Sequence, residues 1–428
     1  MEYKEVVTSF LQQAHLILLL RRSEQVSSYK KKWDAVSGYL ENETPLERAR
    51  IELYEEIGLT DADVSLIRAG ELLRIYDRGN ETVWIVHPFL FTTSQSTIRL
   101  NRENSQYKWI DPDDLAIYET VPRLRQTYDR VRWDFSTIST NLTGAIEMVN
   151  EIDQDRSHGA SYIGRKSIKA IQLAANLSNA TSKAELLKDI LTVAARVRTV
   201  QPNMASIRNI AGRLLSEIDL AFQSATSLIE FKNNIEQSIE EARVYADRAA
   251  ELVSRNLCNI LVERKCILTH SYSGTVKRAL ELIPNKDLQI HVTESAPTYE
   301  GKVLVRELRK LGFSHAKSLS DTATREFPIE FDAVILGADS VLTDGSVINK
   351  AGTKDIAKTA RESMIPVFVA AETSKLNTMH FLGEPLHVNG IFDLTPSDCI
   401  SSIITERGMM NPWDARRLIE SMVEELYT

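Results

Sequence analysis

Cysteine is scarce. The chain holds three, Cys258, Cys266 and Cys399, too few and too scattered for a disulfide framework or a zinc site. Its eight histidines show no HxH or HExxH spacing, which removes the usual histidine-built metal centres. Long apolar runs are missing too. A membrane helix needs about 18 apolar residues, and LILLL at 16–20 leads straight into Arg21 and Arg22. The opening MEYKEVVTSF lacks the basic and then apolar layout of a secretory signal, so a cytoplasmic location and no membrane partner are expected. Positive charge is in deficit: 51 Lys and Arg stand against 59 Asp and Glu, a net charge of -8. That argues against direct nucleic-acid binding, which wants a basic footprint.

What is present is a globular composition, 43% apolar and 26% charged, in 428 residues, more than one ordinary domain. Three textures divide it. Residues 1–135 alternate strand-like and loop segments around one helix, with strands expected in AHLILLLRRS, near GELLRIYD and in ETVWIVHPFLFTT. KWIDPDDLAIYETVPRLRQTYDRV reads as a turn leading into an amphipathic helix. Residues 140–262 keep a helical period almost throughout, with breaks at 157–159 and 201–203. From 263 to 428 short apolar runs (KCILTH, LQIHVTE, HAKSL, FDAVILGAD, PVFVAA) alternate with helices, which implies parallel strands in a doubly wound sheet.

The most informative stretch is SGYLENETPLERARIELYEEIGL at 37–59. Leu46, Ala49, Leu53 and Ile57 recur every three or four positions, Thr44 can cap a helix, Pro45 suits its first turn and Gly58 ends it. Glu52, Glu55 and Glu56 then share one helix face with Glu43 nearby. A solvated acidic face is the bland reading. A tight carboxylate cluster instead suits hard divalent ions, Mg²⁺ or Mn²⁺.

The whole stretch resembles the signature of the Nudix hydrolases, with Glu43, Glu52, Leu53, Glu55, Glu56, Gly58 and Leu59 in register. The signature's first glycine falls on Ser37 with Gly38 beside it, and its arginine falls on Ile51. Arg50 sits one place early, about 100° round the helix, and Arg48, four residues before Glu52, could replace it as partner. The resemblance implies an α/β/α sandwich with a mixed sheet. It also implies a metal-dependent hydrolase of a nucleoside diphosphate derivative, with Glu52, Glu55 and Glu56 catalytic and, with Glu43, metal-binding.

In the last region ligands are expected beyond the carboxyl ends of the strands: THSYSG at 269–274, TESAP at 293–297 and GADSVLTDGSVINKAGT at 337–353. Ser271, Ser273 and Gly274 open a helix where backbone amides can hold a phosphate, and Asp339, Asn349 and Lys350 offer an acid, an amide and a cation. These motifs, with FDLTPSDCISSIITERG, resemble the initiation factor 2B alpha/beta/delta superfamily, which also contains sugar-phosphate isomerases. The resemblance spans roughly 140–428. It implies a helical subdomain, a Rossmann-like domain, a homo-oligomer, and AMP or a sugar phosphate in the pocket. In the isomerases a cysteine stands at the position of Ser271, and an arginine tends to stand at the position of Ala296. A serine hydroxyl is a far weaker acid than a thiol, so binding without conversion is expected here. The alternatives are a non-catalytic translation-factor relative and a ribose 1,5-bisphosphate-type isomerase.

Overall fold

The computed structural model describes residues 2–13, 16–93, 95, 98–132, 140–156, 158–324, 327, 330–381, 386, 388 and 390–427. It divides into two compact units, Met1–Asp134 with Val423–Thr428, and Phe135–Met422.

The first unit is built on one mixed sheet. Its strands are β1 (Glu2–Gln13), β2 (Leu16–Arg22), β3 (Trp33–Asp34), β4 (Val36–Tyr39), β5 (Val64–Ala69), β6 (Leu73–Asp77), β7 (Thr82–Thr93) and β8 (Asn104–Ile110). β1 and β7 run parallel over eleven residue pairs, Glu2 with Thr82 through Gln12 with Thr92, while β2 and β4 pair with β1 antiparallel. The run LILLL is buried on both faces. Leu18 and Leu20 join Val7, Val36, Phe89 and Phe91 under α1 (Pro45–Ile57); Ile17 and Leu19 join Phe10, Trp33 and Ile110 under α2 (Leu124–Arg132). Alternate side chains of a strand face opposite ways, so one strand serves two cores and the unit is a sandwich.

The ends of α1 form as its residues dictate. Thr44 accepts from the Glu47 amide while Glu47 reaches back to Thr44, a full capping box, and Gly58 takes the left-handed conformation at φ 74°. Ala49, Leu53 and Ile57 bury the inner face, each large apolar side chain contributing about 2 kcal/mol.

In the second unit five helices come first: α3 (Thr143–Gln154), α4 (Ala160–Leu177), α5 (Lys183–Thr199), α6 (Ala205–Ser224) and the 34-residue α7 (Leu228–Leu261). A seven-stranded sheet follows, containing β9 (Cys266–His270), β10 (Gln289–Thr293), β11 (Lys317–Leu319), β12 (Ala333–Gly337), β15 (Val367–Ala370), β17 (Ser402–Thr405) and β18 (Gly408–Met410). Its order is β11-β10-β9-β12-β15-β17-β18, parallel except for the last pair. Helices α8 (Gly274–Glu281), α9 (Glu300–Lys310) and α10 (Thr353–Glu362) alternate with its strands. A small antiparallel sheet joins β13 (Ser340–Val341), β14 (Val347–Lys350) and β16 (Phe392–Thr395). The fold is therefore α/β, with the doubly wound sheet expected. Its strand order reverses between β9 and β12, the crevice where such sheets hold ligands.

The sequence reading left out β1, β3, β4, β5, β17, β18 and the small sheet. It also placed Lys108–Ile110 in a turn, whereas they end β8. Ala14, His15 and Ser157, which fall in expected segments, lie outside the described residues. No helix among the described residues is long and apolar enough to cross a membrane.

Candidate functional sites

On the first unit α1 carries its glutamates toward β4. Glu52 and Glu56 are 5% and 4% exposed, unusual for carboxylates. Room for Glu52 comes from Gly38: a Cβ there would lie 1.5 Å from Glu52 Oε1 and 2.0 Å from its Cδ. Glu56 turns to the strand side, where it accepts from the Ser37 amide at 2.8 Å and from Asn104 Nδ2 at 2.5 Å. Burial pushes its pKa up to about 8, the two hydrogen bonds oppose the rise, and Glu52 and Asp34 add to it. Burial also raises Glu52, against the pull of Arg48.

Arg48 is the hub of the cluster. Its guanidinium pairs with Glu52, lies 3.6 Å from Glu43 and 3.7 Å from Glu55. Three carboxylates around one cation leave a local charge near −2. Glu43 Oε1 and Arg48 Nε are buried without a hydrogen-bond partner, so the cluster is under-satisfied as it stands. Among the described residues no three Asp, Glu, His or Cys side chains stand together as a ready metal site, because Arg48 takes the space between three of the glutamates and Glu56 faces Asn104. The donor chemistry, all carboxylate oxygen with excess negative charge, fits a hard divalent ion. Arg50 has no part in this. It pairs with Asp61 on the surface at 2.6 Å, and Ile51 is exposed.

In the second unit a cavity of about 250 Å³ opens at the switch point. Ser271, which follows β9, adopts φ 58°. Its Oγ donates to Glu300 Oε2 at 2.7 Å, and Glu300 Oε1 accepts from Lys350 Nζ at 3.2 Å. Ser273 caps α8 by accepting from the Val276 amide. Asp339, 4% exposed, accepts from the Ala160 amide at 3.3 Å, and burial raises its pKa against the pull of Lys375 and Lys350. Lys375 pairs with Glu372 at 2.8 Å, both nearly fully buried. Burial alone would raise Glu372, but the Lys375 ammonium holds it below the usual carboxylate range.

Two sequence profiles match the chain: NUDIX domain over residues 3–131, and Initiation factor 2 subunit family over residues 156–387. The chain belongs to the Initiation factor 2 subunit family and carries a NUDIX domain before it. It is 32% identical to the Putative translation initiation factor eIF-2B subunit 2-like of Pyrococcus abyssi, over 62% of this chain and 96% of that protein. It is 28% identical to the Ribose 1,5-bisphosphate isomerase of Thermococcus kodakarensis, over 63% and 92% respectively. Among solved structures, the Pyrococcus horikoshii OT3 translation initiation factor eIF-2B superposes with a TM-score of 0.53 at 27% identity, covering 63% of this chain and 97% of that one.

Within this family frame the expected C-terminal residues gather well. Ser271, Ser273, Gly274, Asp339, Asn349 and Lys350 all line the one cavity. TESAP is not among its lining residues; the Ser295 and Ala296 amides are held by the Asp321 carboxylate at 2.8 Å each. The sequence reading missed Glu300, Lys375, Arg278 and His270, which also line it, because no spacing rule links α9, α8 and the loop after β15. In the first unit it missed Asn104, 48 residues from its partner Glu56.

His270 supplies a pH dependence. Its Nε2 lies 3.0 Å from the Ala351 carbonyl, which only accepts, so Nε2 carries the proton and Nδ1 accepts from Thr293 Oγ1 at 2.6 Å. Burial lowers its pKa to about 4. The unfolded chain takes up a proton near pH 6.5 while the folded one stays neutral, so this stabilisation is complete above about 6.5 and is lost as pH falls toward 4, at most ~3 kcal/mol. Urea unfolding of the second unit at pH 7.5, 6 and 5 should show the loss, and His270→Gln should flatten the slope.

Proposed function

We propose that residues 1–135 form a phosphoanhydride hydrolase acting on a nucleoside diphosphate derivative with Mg²⁺ or Mn²⁺. The observation that carries this is the pair of buried carboxylates, Glu52 over Gly38 and Glu56 on the Ser37 amide. A divalent ion held by Glu43, Glu52, Glu55 and Glu56 would neutralise the diphosphate and activate a water. Glu56, held by the Ser37 amide and Asn104, is placed to hold the ion or, once ionised beside it, to take a proton from that water. Ser37 and Asn104 fix its two oxygens, and before an ion enters Arg48 holds Glu52 in place. The test is a panel of dinucleotides and nucleotide sugars with the full chain, Mg²⁺ or Mn²⁺ present or absent. No metal-dependent release of phosphorylated product from any member would end this reading.

For residues 140–262 and 263–428, a helical subdomain and a Rossmann-like domain, we propose a binding role: a nucleotide or sugar phosphate held at Ser271, Ser273, Gly274, Asp339, Asn349 and Lys350, in a cytoplasmic homo-oligomer. The shared cavity at the switch point supports it. A clean monomer by sedimentation would count against the oligomer. Isomerisation is the second reading, supported by the Ser271 hydroxyl on Glu300 and by the isomerases among the relatives. A ketose signal by NMR after incubation with ribose 1,5-bisphosphate would favour it.

A further inference from the structure

Among the described residues four Lys and Arg side chains line the second unit's cavity, Arg165, Arg278, Lys350 and Lys375. Two are neutralised by buried carboxylates and a third faces a solvent-exposed one. Lys350 pairs with Glu300 at 3.2 Å with only 13% and 10% of the two side chains exposed, Lys375 pairs with Glu372 at 2.8 Å, and Arg165 lies 3.7 Å from Asp247. Arg278 is the exception: among the described residues no carboxylate pairs with it. It lies one turn along α8 from Gly274. The first amides of a helix have no partner within it and favour an anion.

The cavity is therefore polarised. Its α8 side offers Arg278 and the Gly274 and Thr275 amides, since Ser273 already takes the Val276 amide through its hydroxyl and the Lys277 amide through its carbonyl. Elsewhere in the lining Ser271, Glu300 and Lys350 form one hydrogen-bonded chain, and buried Asp339 and Asn349 line the same cavity. That group sums to no excess positive charge and is rich in acceptors and donors, which suits hydroxyl groups. A phosphate placed there would share Lys350, whose ammonium already donates to Glu300 and to the Arg156 carbonyl, and would stand beside the buried Glu300 carboxylate, a like-charge contact in low dielectric. The amides of Ser295 and Ala296, at the next strand end, are likewise taken by Asp321.

We propose that this cavity is selective for a ligand with a single phosphoryl group, a ribose monophosphate ester bound phosphate-first at α8 and Arg278, and that Glu300 is the residue that turns bisphosphates away. The proposal rests on the binding role given above to the second unit.

The test is calorimetry on the full chain with ribose 5-phosphate, AMP and ribose 1,5-bisphosphate. Ribose 5-phosphate should bind at least tenfold more tightly than the bisphosphate; AMP matching it would support the same charge selection with a nucleotide as the source. Glu300→Gln, which removes the charge that occupies Lys350, should narrow the gap by tenfold or more through a gain for the bisphosphate. Arg278→Gln, on an exposed side chain, should weaken the monophosphate about tenfold without disturbing the fold. Equal or tighter binding of the bisphosphate by the unaltered chain would overturn the selectivity while leaving the binding role intact, as would a gap unchanged by Glu300→Gln. No binding of any of the three would overturn both.

Discussion

Glu56→Gln is expected to lower kcat/KM for metal-dependent hydrolysis by at least ~10²-fold, the scale for loss of a general base or metal ligand, while the protein stays folded. The amide matches the carboxylate in shape and can still accept from the Ser37 amide. What it loses is charge. In the metal-free protein that loss should stabilise at high pH. Glu56 titrates near 8 when folded and near 4.5 when unfolded, so the folded state holds the extra proton between those values. Its contribution is fully present below about 4.5 and disappears as pH rises through 8. Thermal melts without metal should thus fall between pH 6 and 9 for the unaltered chain and stay flatter for the variant. A variant with undiminished hydrolysis would remove Glu56 from the chemistry.

The second large effect is expected at Gly38. An added methyl would stand 1.5 Å from Glu52 Oε1, 2.0 Å from its Cδ and 2.5 Å from its Cγ. Those atoms are the far end of one side chain, not backbone, so the clash resolves by expelling the Glu52 carboxylate. Gly38→Ala should therefore cost about 10²-fold in kcat/KM, raise the metal concentration needed for half activity, and shift the melting temperature by only a few degrees. Loss of the fold instead would mean that β4 cannot accept any side chain here, whatever Glu52 does. Activity near normal would place Glu52 outside the site.

Both predictions rest on contacts that the sequence shows unequally. The helix and its caps were legible because each follows from local spacing. So was β2, whose five apolar residues imply burial on both faces. Ser37 and Gly38 were not resolved by sequence, since a signature in register pointed to one and the amino acid pointed to the other. The structure divides the work: the Ser37 amide binds Glu56, and the missing side chain of Gly38 makes room for Glu52. β1 escaped notice because EYKEVVTSFLQQ is exposed at its start and buried only from Val7 to Leu11, giving no steady alternation. In the second unit the strand ends were legible from β–α alternation, but Glu300 was not. Its importance comes from Lys350, 50 residues away.

Arg48 bears on how the first unit would take up a divalent ion. With a guanidinium already seated among Glu43, Glu52 and Glu55, the acidic cluster has a resident counter-ion, and the chain can fold before any divalent ion arrives. On the proposed reading, loading would resemble ion exchange on a finished resin: an incoming cation would displace an arginine and would not nucleate structure. Chelators should accordingly silence hydrolysis reversibly with little change in circular dichroism, and the melting temperature should rise only modestly when Mg²⁺ or Mn²⁺ returns.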